Sequence, residues 1–223
     1  MDEFLSEKEQ VEVLRRWWSE NGRWIIGGLV VGAAVLFGWR AWNHHLATQA
    51  EAASTIYGEL LTAVDAGKLD EAASLREDLA RDFARTPYTT LSGLALARLH
   101  AEAGEAEAAA QALTDVLAAT DDEELKHIAR LRLARVRLQQ DQPDAAAEAL
   151  TGAKEGRFAP LYAHVRGDIF VAESNLAAAR DAYRKALAGG EPGVVDRNLV
   201  QMKLDALGGS ADEPEPAATE AAQ

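Results

Sequence analysis

Residues 24–39 read WIIGGLVVGAAVLFGW, sixteen positions without one ionisable or amide side chain. No other feature restricts the fold so strongly, because a run this apolar must lie in lipid or in a large core. Ala41 and Trp42 extend it past Arg40. As a helix rising 1.5 Å per residue, residues 24–42 span about 28 Å, the thickness of a bilayer hydrocarbon core, with Arg40 snorkelling to the interface. Trp17, Trp18, Trp24, Trp39 and Trp42 are all the tryptophans of the chain, and they flank this run as an aromatic belt does. The expectation is one transmembrane helix over 24–42, preceded by a short amphipathic segment over 1–23.

The segment before the run does not read as a cleaved signal peptide. It carries six acidic side chains, and the one Ala-x-Ala match, at Ala50, Glu51 and Ala52, lies beyond Arg40, His44 and His45 rather than at the end of the run. Lys8, Arg15, Arg16 and Arg23 stand on the amino side, whereas the first Lys or Arg after Arg40 is Lys68. By the positive-inside rule the amino terminus is cytoplasmic and the rest of the chain lies across the membrane. Phe4, Val11, Leu14 and Trp18 recur at helical spacing, and Ser6 with Glu9 has the capping-box arrangement. Within the span, Gly28 and Gly32 form a small-xxx-small pair that lets another helix approach, with Val35 and Trp39 on the same face.

Downstream, residues 43–207 are rich in Ala, Leu, Glu and Arg, with apolar residues three and four apart, which predicts an all-α domain. Its breakers are periodic. Gly67, Gly104, Asp141 and Ser174 divide pairs of helical stretches at intervals of 37, 37 and 33 residues. A second series falls between them, at Thr86-Pro87, Thr120-Asp121, Glu155-Gly156 and residues 189–193. Two helices in each period of about 34 residues resemble the tetratricopeptide repeat. In the last copy Gly167, Ala179, Tyr183 and Ala186 take that repeat's small, small, aromatic and small positions. Ala97, Ala109, Leu113 and Val116 repeat the scheme, as do Ala134, Ala146, Leu150 and Ala153; the copy around Leu60 and Ala72 is degenerate. Thr120 with Glu123 reads as a capping box and Pro143 as a first-turn proline. The prediction is a solenoid of about four hairpins with a closing helix over 194–207, then an acidic, proline-containing tail over 208–223 without apolar periodicity.

The formal net charge is -13, and 30 of the 36 carboxylates follow residue 42, against 18 of the 23 Lys and Arg. This balance opposes a nucleic-acid surface, which needs clustered cations to displace counterions. Cysteine is absent, which excludes disulfides and thiolate chemistry. The five histidines do not supply a metal site: His44 and His45 point apart on a helix, and His100, His127 and His164 belong to separate hairpins. No Walker, dinucleotide or Gly-x-Ser-x-Gly pattern occurs, so no cofactor and no catalysis are expected. Arg130, Arg132, Arg135 and Arg137 divide on a helix into Arg130 with Arg137 and Arg132 with Arg135.

First helices of successive hairpins line the concave side of such arrays. Aligning the copies puts Tyr57, Leu94, Arg98, Leu131, Arg135, Leu138, His164, Asp168 and Val171 there, a mixed lining suited to extended or unfolded polypeptide. A packing role for the leucines is equally compatible with the alignment.

The chain also resembles a bacterial family, the YfgM-like ancillary subunits of the SecYEG translocon. Glu20-Asn21-Gly22, residues 38–43 (GWRAWN), residues 131–136 (LRLARV), Arg166-Gly167-Asp168 and Gln201-Met202-Lys203 carry the resemblance, in an order that covers residues 1–207. The alanine-rich acidic tail departs from the pattern. The resemblance implies a single-pass inner-membrane protein with a periplasmic repeat domain, associated with the translocon and the membrane-anchored chaperone PpiD. It implies no catalytic residues. A structural scaffold of the cell envelope is the rival reading, and a membrane-tethered cytoplasmic regulator would require the opposite topology.

Overall fold

The computed structural model describes residues 7–189 and 194–208. Phe4, Ser6, the connection around residues 190–193 and the tail beyond Gly208 lie outside the described residues. Among the described residues the fold is all-α. It divides into two compact units, residues 1–52 and 53–223.

The first unit holds most of α1, Glu7–Asp65. Between Asn43 and Asp65 the sequence offers no proline and a single glycine, so nothing ends the helix where the apolar run stops. Among the described residues α1 is the one helix long and apolar enough to cross a membrane. All five tryptophans are exposed on it, and so are Leu29, Val35, Leu36 and Phe37. Water does not support so many exposed large apolar side chains on one helix, whereas lipid does.

The second unit begins with the last turns of α1, from Ala53, which pair with α2, Leu69–Asp82. Then follow α3, Pro87–Glu102, with α4, Ala106–Ala119; α5, Glu123–Gln139, with α6, Pro143–Ala149; and α7, Ala159–Ala172, with α8, Leu176–Ala188. Helix α9, Arg197–Ala206, closes the stack. It begins later than the sequence pattern indicated because Asp196 caps it, accepting from the Leu199 amide at 3.0 Å.

The hairpins turn in one way. Gly67, Gly104, Asp141 and Ser174 all have φ between 59° and 79°. Each turn closes with two bonds: Gly67 N to Val64 O with Lys68 N to Ala63 O, Gly104 N to Ala101 O with Glu105 N to His100 O, and the equivalent pairs after α5 and α7. These are Schellman motifs, which satisfy the orphan carbonyls at a helix end and require a left-handed residue. That requirement is why the breakers recur in the sequence. Entry to the helices is more varied. Pro87, Pro143 and Pro160 sit in first turns, where a missing N–H costs nothing. The α5 cap is Asp122, accepting from Glu124 N at 2.8 Å and Leu125 N at 3.1 Å. The Thr120–Glu123 box expected there does not form, because Thr120 is the C-cap of α4 and its hydroxyl accepts instead from Asp122 N at 3.2 Å.

Packing follows the repeat. Ala72, Ala109, Ala146 and Ala179 are each fully buried where the two helices of a hairpin meet, and their small side chains allow the close approach. The first copy, degenerate in sequence, packs as tightly as the others, with Leu60 and Leu79 fully buried. Among the described residues the core is four successive clusters rather than one, three of them joining a hairpin to the first helix of the next and the fourth joining α8 to α9. This nearest-neighbour arrangement is what makes an array rather than a globule.

Candidate functional site

Helix α1 presents Gly28, Gly32, Val35 and Trp39 without any covering side chain. A Cβ built on Gly28 or Gly32 would meet nothing within 4 Å, and Val35 and Trp39 are exposed. The two glycines lie one turn apart, so this face offers a shallow strip where a second helix could come close.

The nine residues aligned to the concave side fall into three groups. Leu94 and Leu131 are buried, 5% and 4% exposed, so their side chains serve packing. Leu138 is partly buried against the third core cluster. His164 and Asp168, on α7, belong to a polar network beneath α9: Lys203 Nζ donates to Asp168 Oδ1 at 2.7 Å and to His164 Nε2 at 3.0 Å, and Tyr183 Oη donates to the same Asp168 oxygen at 2.7 Å. Burial holds His164 below its ordinary range; Asp168 opposes that shift, while Lys203 and Arg135 add to it. Burial and the bond to Asp168 push the Tyr183 phenol well above its ordinary range. A neutral imidazole accepting from an ammonium and a carboxylate sharing that ammonium make a satisfied, partly buried network, which ties α9 to α7.

The third group is open. Val171 is exposed, Tyr57 is half-buried against Tyr88 with ring centroids 5.5 Å apart, and Arg98 and Arg135 are exposed. Arg98 pairs with Asp65 at 2.8 Å and Glu102 at 3.3 Å. Arg98 and Arg135 line one concavity of about 290 Å³ with Arg132 and Gln139, over a floor of Ala97, Ala101, Leu113 and Val136. Arg132 makes one long bond, to Leu94 O at 3.4 Å. Partial desolvation, then the charges of Arg98 and Arg135, push its guanidinium below the ordinary range.

Helix α5 thus divides its arginines by direction. Arg130 donates to Thr151 O, just after α6, at 3.1 Å, and Arg137 to Glu107 on α4 of the preceding hairpin at 2.7 Å, while Arg132 and Arg135 face the concavity. The repeat alignment includes neither Arg132, which lines the concavity, nor Lys203, which joins the His164 and Asp168 network. The three-residue spacing of Arg132 from Arg135 was a usable signal, whereas Lys203 lies in a closing helix that has no counterpart in the repeats. The concavity holds no nucleophile beside a base, and among the described residues no group of three or more His, Cys, Asp or Glu could hold a metal ion.

The family model for a tetratricopeptide repeat-like domain matches residues 15–209. Among curated relatives, an ancillary SecYEG translocon subunit from Escherichia coli is 34% identical over 93% of this chain and 99% of its own length. Proteins of the same name from Haemophilus influenzae and Neisseria gonorrhoeae are 31% and 27% identical, each over 91% of this chain and 98% of theirs. No solved structure matches the chain.

Proposed function

Since the chain belongs to the tetratricopeptide repeat-like family of ancillary SecYEG translocon subunits, we propose that it is a membrane-anchored accessory of that translocon and acts by binding proteins rather than by catalysis. Helix α1 spans the inner membrane in contact with lipid, its amino end in the cytoplasm, and the repeat array stands in the periplasm. There it joins translocation to a PpiD-like membrane-anchored chaperone, and its concave side receives translocating or unfolded polypeptide. The observation that carries this reading is a match running through both the apolar helix and the array, over nearly the full length of relatives so named. The distribution of Lys and Arg around the span supports the orientation, and the uncovered Gly28 and Gly32 support a helix partner within the membrane.

The test is recovery of partners from detergent-solubilised membranes. Wild-type chain should bring down the translocon subunits and the chaperone, and Gly28→Leu with Gly32→Leu should lower that recovery while the helical melt of the array is unchanged, because leucine side chains keep a partner helix away. Recovery of envelope-assembly proteins without any translocon subunit would refute the reading in favour of a scaffold.

A further inference from the structure

The concavity bounded by Arg98, Arg132 and Arg135 is chemically out of character with a chain of net charge -13. Three guanidinium groups border a space of about 290 Å³, from α3 on one side and α5 on the other. Arg98 has its two carboxylate partners at the surface. Arg132 has only a carbonyl at 3.4 Å, and Arg135 has no hydrogen bond or ion pair among the described residues. Like charges held together in this way repel, and their mutual repulsion is relieved by a ligand that brings carboxylates. The floor of alanine, leucine and valine takes no hydrogen bonds, so the matching ligand combines carboxylates with small apolar residues.

Such a segment exists within the same chain. Residues 209–223 read GSADEPEPAATEAAQ, with Asp212, Glu213, Glu215 and Glu220, no Lys or Arg, and proline and alanine between the acids. The family match ends at residue 209, so this segment lies outside what the repeat fold requires. Helix α9 is docked by Lys203 on His164 and Asp168, and Arg135 exerts its charge on that same His164. Between α7 and α3 there are two helix-to-helix steps, through α5, or about 20 Å at ordinary interaxial distances. Beyond Gly208 the chain continues for fifteen residues, whose contour of about 50 Å when fully extended exceeds that distance even with the further step from α9.

We propose that the acidic segment 212–220 binds in cis to the concavity formed by Arg98, Arg132 and Arg135. The docking depends only on the lining and the charge above, and it stands apart from the role proposed for the concave side. Tethering supplies a high effective concentration, so even a weak carboxylate–guanidinium contact fills the site. Exposed partners outside the concavity keep the interaction salt-sensitive.

The experiment uses the detergent-solubilised full chain and a chain ending at Gly208, with a fluorescently labelled peptide of residues 209–223 as probe and anisotropy as readout. The truncated chain should bind the peptide, and the full chain should bind it about tenfold more weakly because its own segment competes. Arg132→Glu with Arg135→Glu in the truncated chain should abolish binding. Arg132→Gln with Arg135→Gln, which removes charge without reversing it, should weaken it strongly, and a far-UV melt shows whether each variant is folded. A peptide with Asp212, Glu213, Glu215 and Glu220 all changed to amides should not bind. Equal binding by the full and truncated chains, or unchanged binding by a folded arginine variant, would overturn the proposal. So would binding of an unrelated acidic peptide to the truncated chain when the tail peptide does not bind, since the concavity would then belong to a partner. Because the readout needs neither translocon nor membrane, its failure leaves the accessory role to be judged on co-purification alone.

Discussion

Replacing Gly167 by alanine should destabilise the last hairpin, although alanine is the better helix former. A Cβ at this position would stand 2.3 Å from Tyr183 Cε1, 2.4 Å from Cδ1 and 2.9 Å from Cζ. The ring cannot turn away freely. It is 2% exposed, and its hydroxyl is tied to Asp168 at 2.7 Å. Overpacking a filled core costs about 1–3 kcal/mol, and three contacts below 3 Å put this site at the upper end. If the ring moves, the bond to Asp168 is stretched, at a further cost of about 1 kcal/mol. The helical preference of alanine over glycine returns about 1 kcal/mol. The net loss is therefore about 2–3 kcal/mol. For a domain of this size that lowers the midpoint of a far-UV thermal melt by about 4–12 °C. The decisive comparison is the same substitution in a Tyr183→Leu background, where the obstructing ring is gone and Gly167→Ala should be neutral or slightly stabilising. A midpoint unchanged or raised by Gly167→Ala alone, or an equal loss in both backgrounds, would refute the packing argument.

Two further outcomes follow from α9. His164 is held neutral, its pKa below the ordinary 6.5 first because of burial, with Asp168 and Asp196 opposing and Lys203 and Arg135 reinforcing the shift. The unfolded chain therefore takes up a proton that the folded chain refuses, so stability should fall as pH drops through 6.5 and level off once the folded group protonates; thermal melts between neutral and mildly acid pH should show this slope, and His164→Gln should reduce it. Leu204 is fully buried in the closing cluster, and Leu204→Ala should cost about 2–5 kcal/mol, read as early loss of amide-exchange protection in α8 and α9 ahead of the first two hairpins.

Much of this fold was legible in the sequence for physical reasons that can be named. The left-handed turn restricts residue choice, so Gly67, Gly104, Asp141 and Ser174 mark the hairpins in the sequence itself. Close helix contacts restrict side-chain volume, so Ala109, Ala146 and Ala179 could be aligned with one another. The apolar helix was visible because a membrane demands uniform composition. What escaped was whatever adjacent residues decide between themselves. Asp122 and Thr120 are both good caps, and only the path of the chain out of α4 chose between them. Leu94 and Arg98, or Leu131 and Arg135, lie one helical turn apart on the first helices, yet the leucine of each pair is buried between helices and the arginine is open. An alignment of repeats names the helix face, but the edge of the buried stripe depends on how the neighbouring hairpin is rotated. Lys203 lies outside the repeat pattern altogether, so nothing periodic could place it beside His164 and Asp168.

The uniform turns also decide where this chain can change length. Two successive intervals are 37 residues and the third is 33, yet the same pair of hydrogen bonds closes each turn. The shorter interval is taken up where α6 ends at Ala149 and a single 3-10 turn, Gly156–Phe158, leads into α7, outside the hairpin bends. A residue added inside a helix would rotate every later side chain about its axis by roughly 100° and turn buried alanines toward solvent. A residue added between hairpins leaves the buried faces of the helices on either side in register. Insertions and deletions in this protein are therefore confined by geometry to the junctions between hairpins, and its residue spacing there is free to drift while the bends keep time.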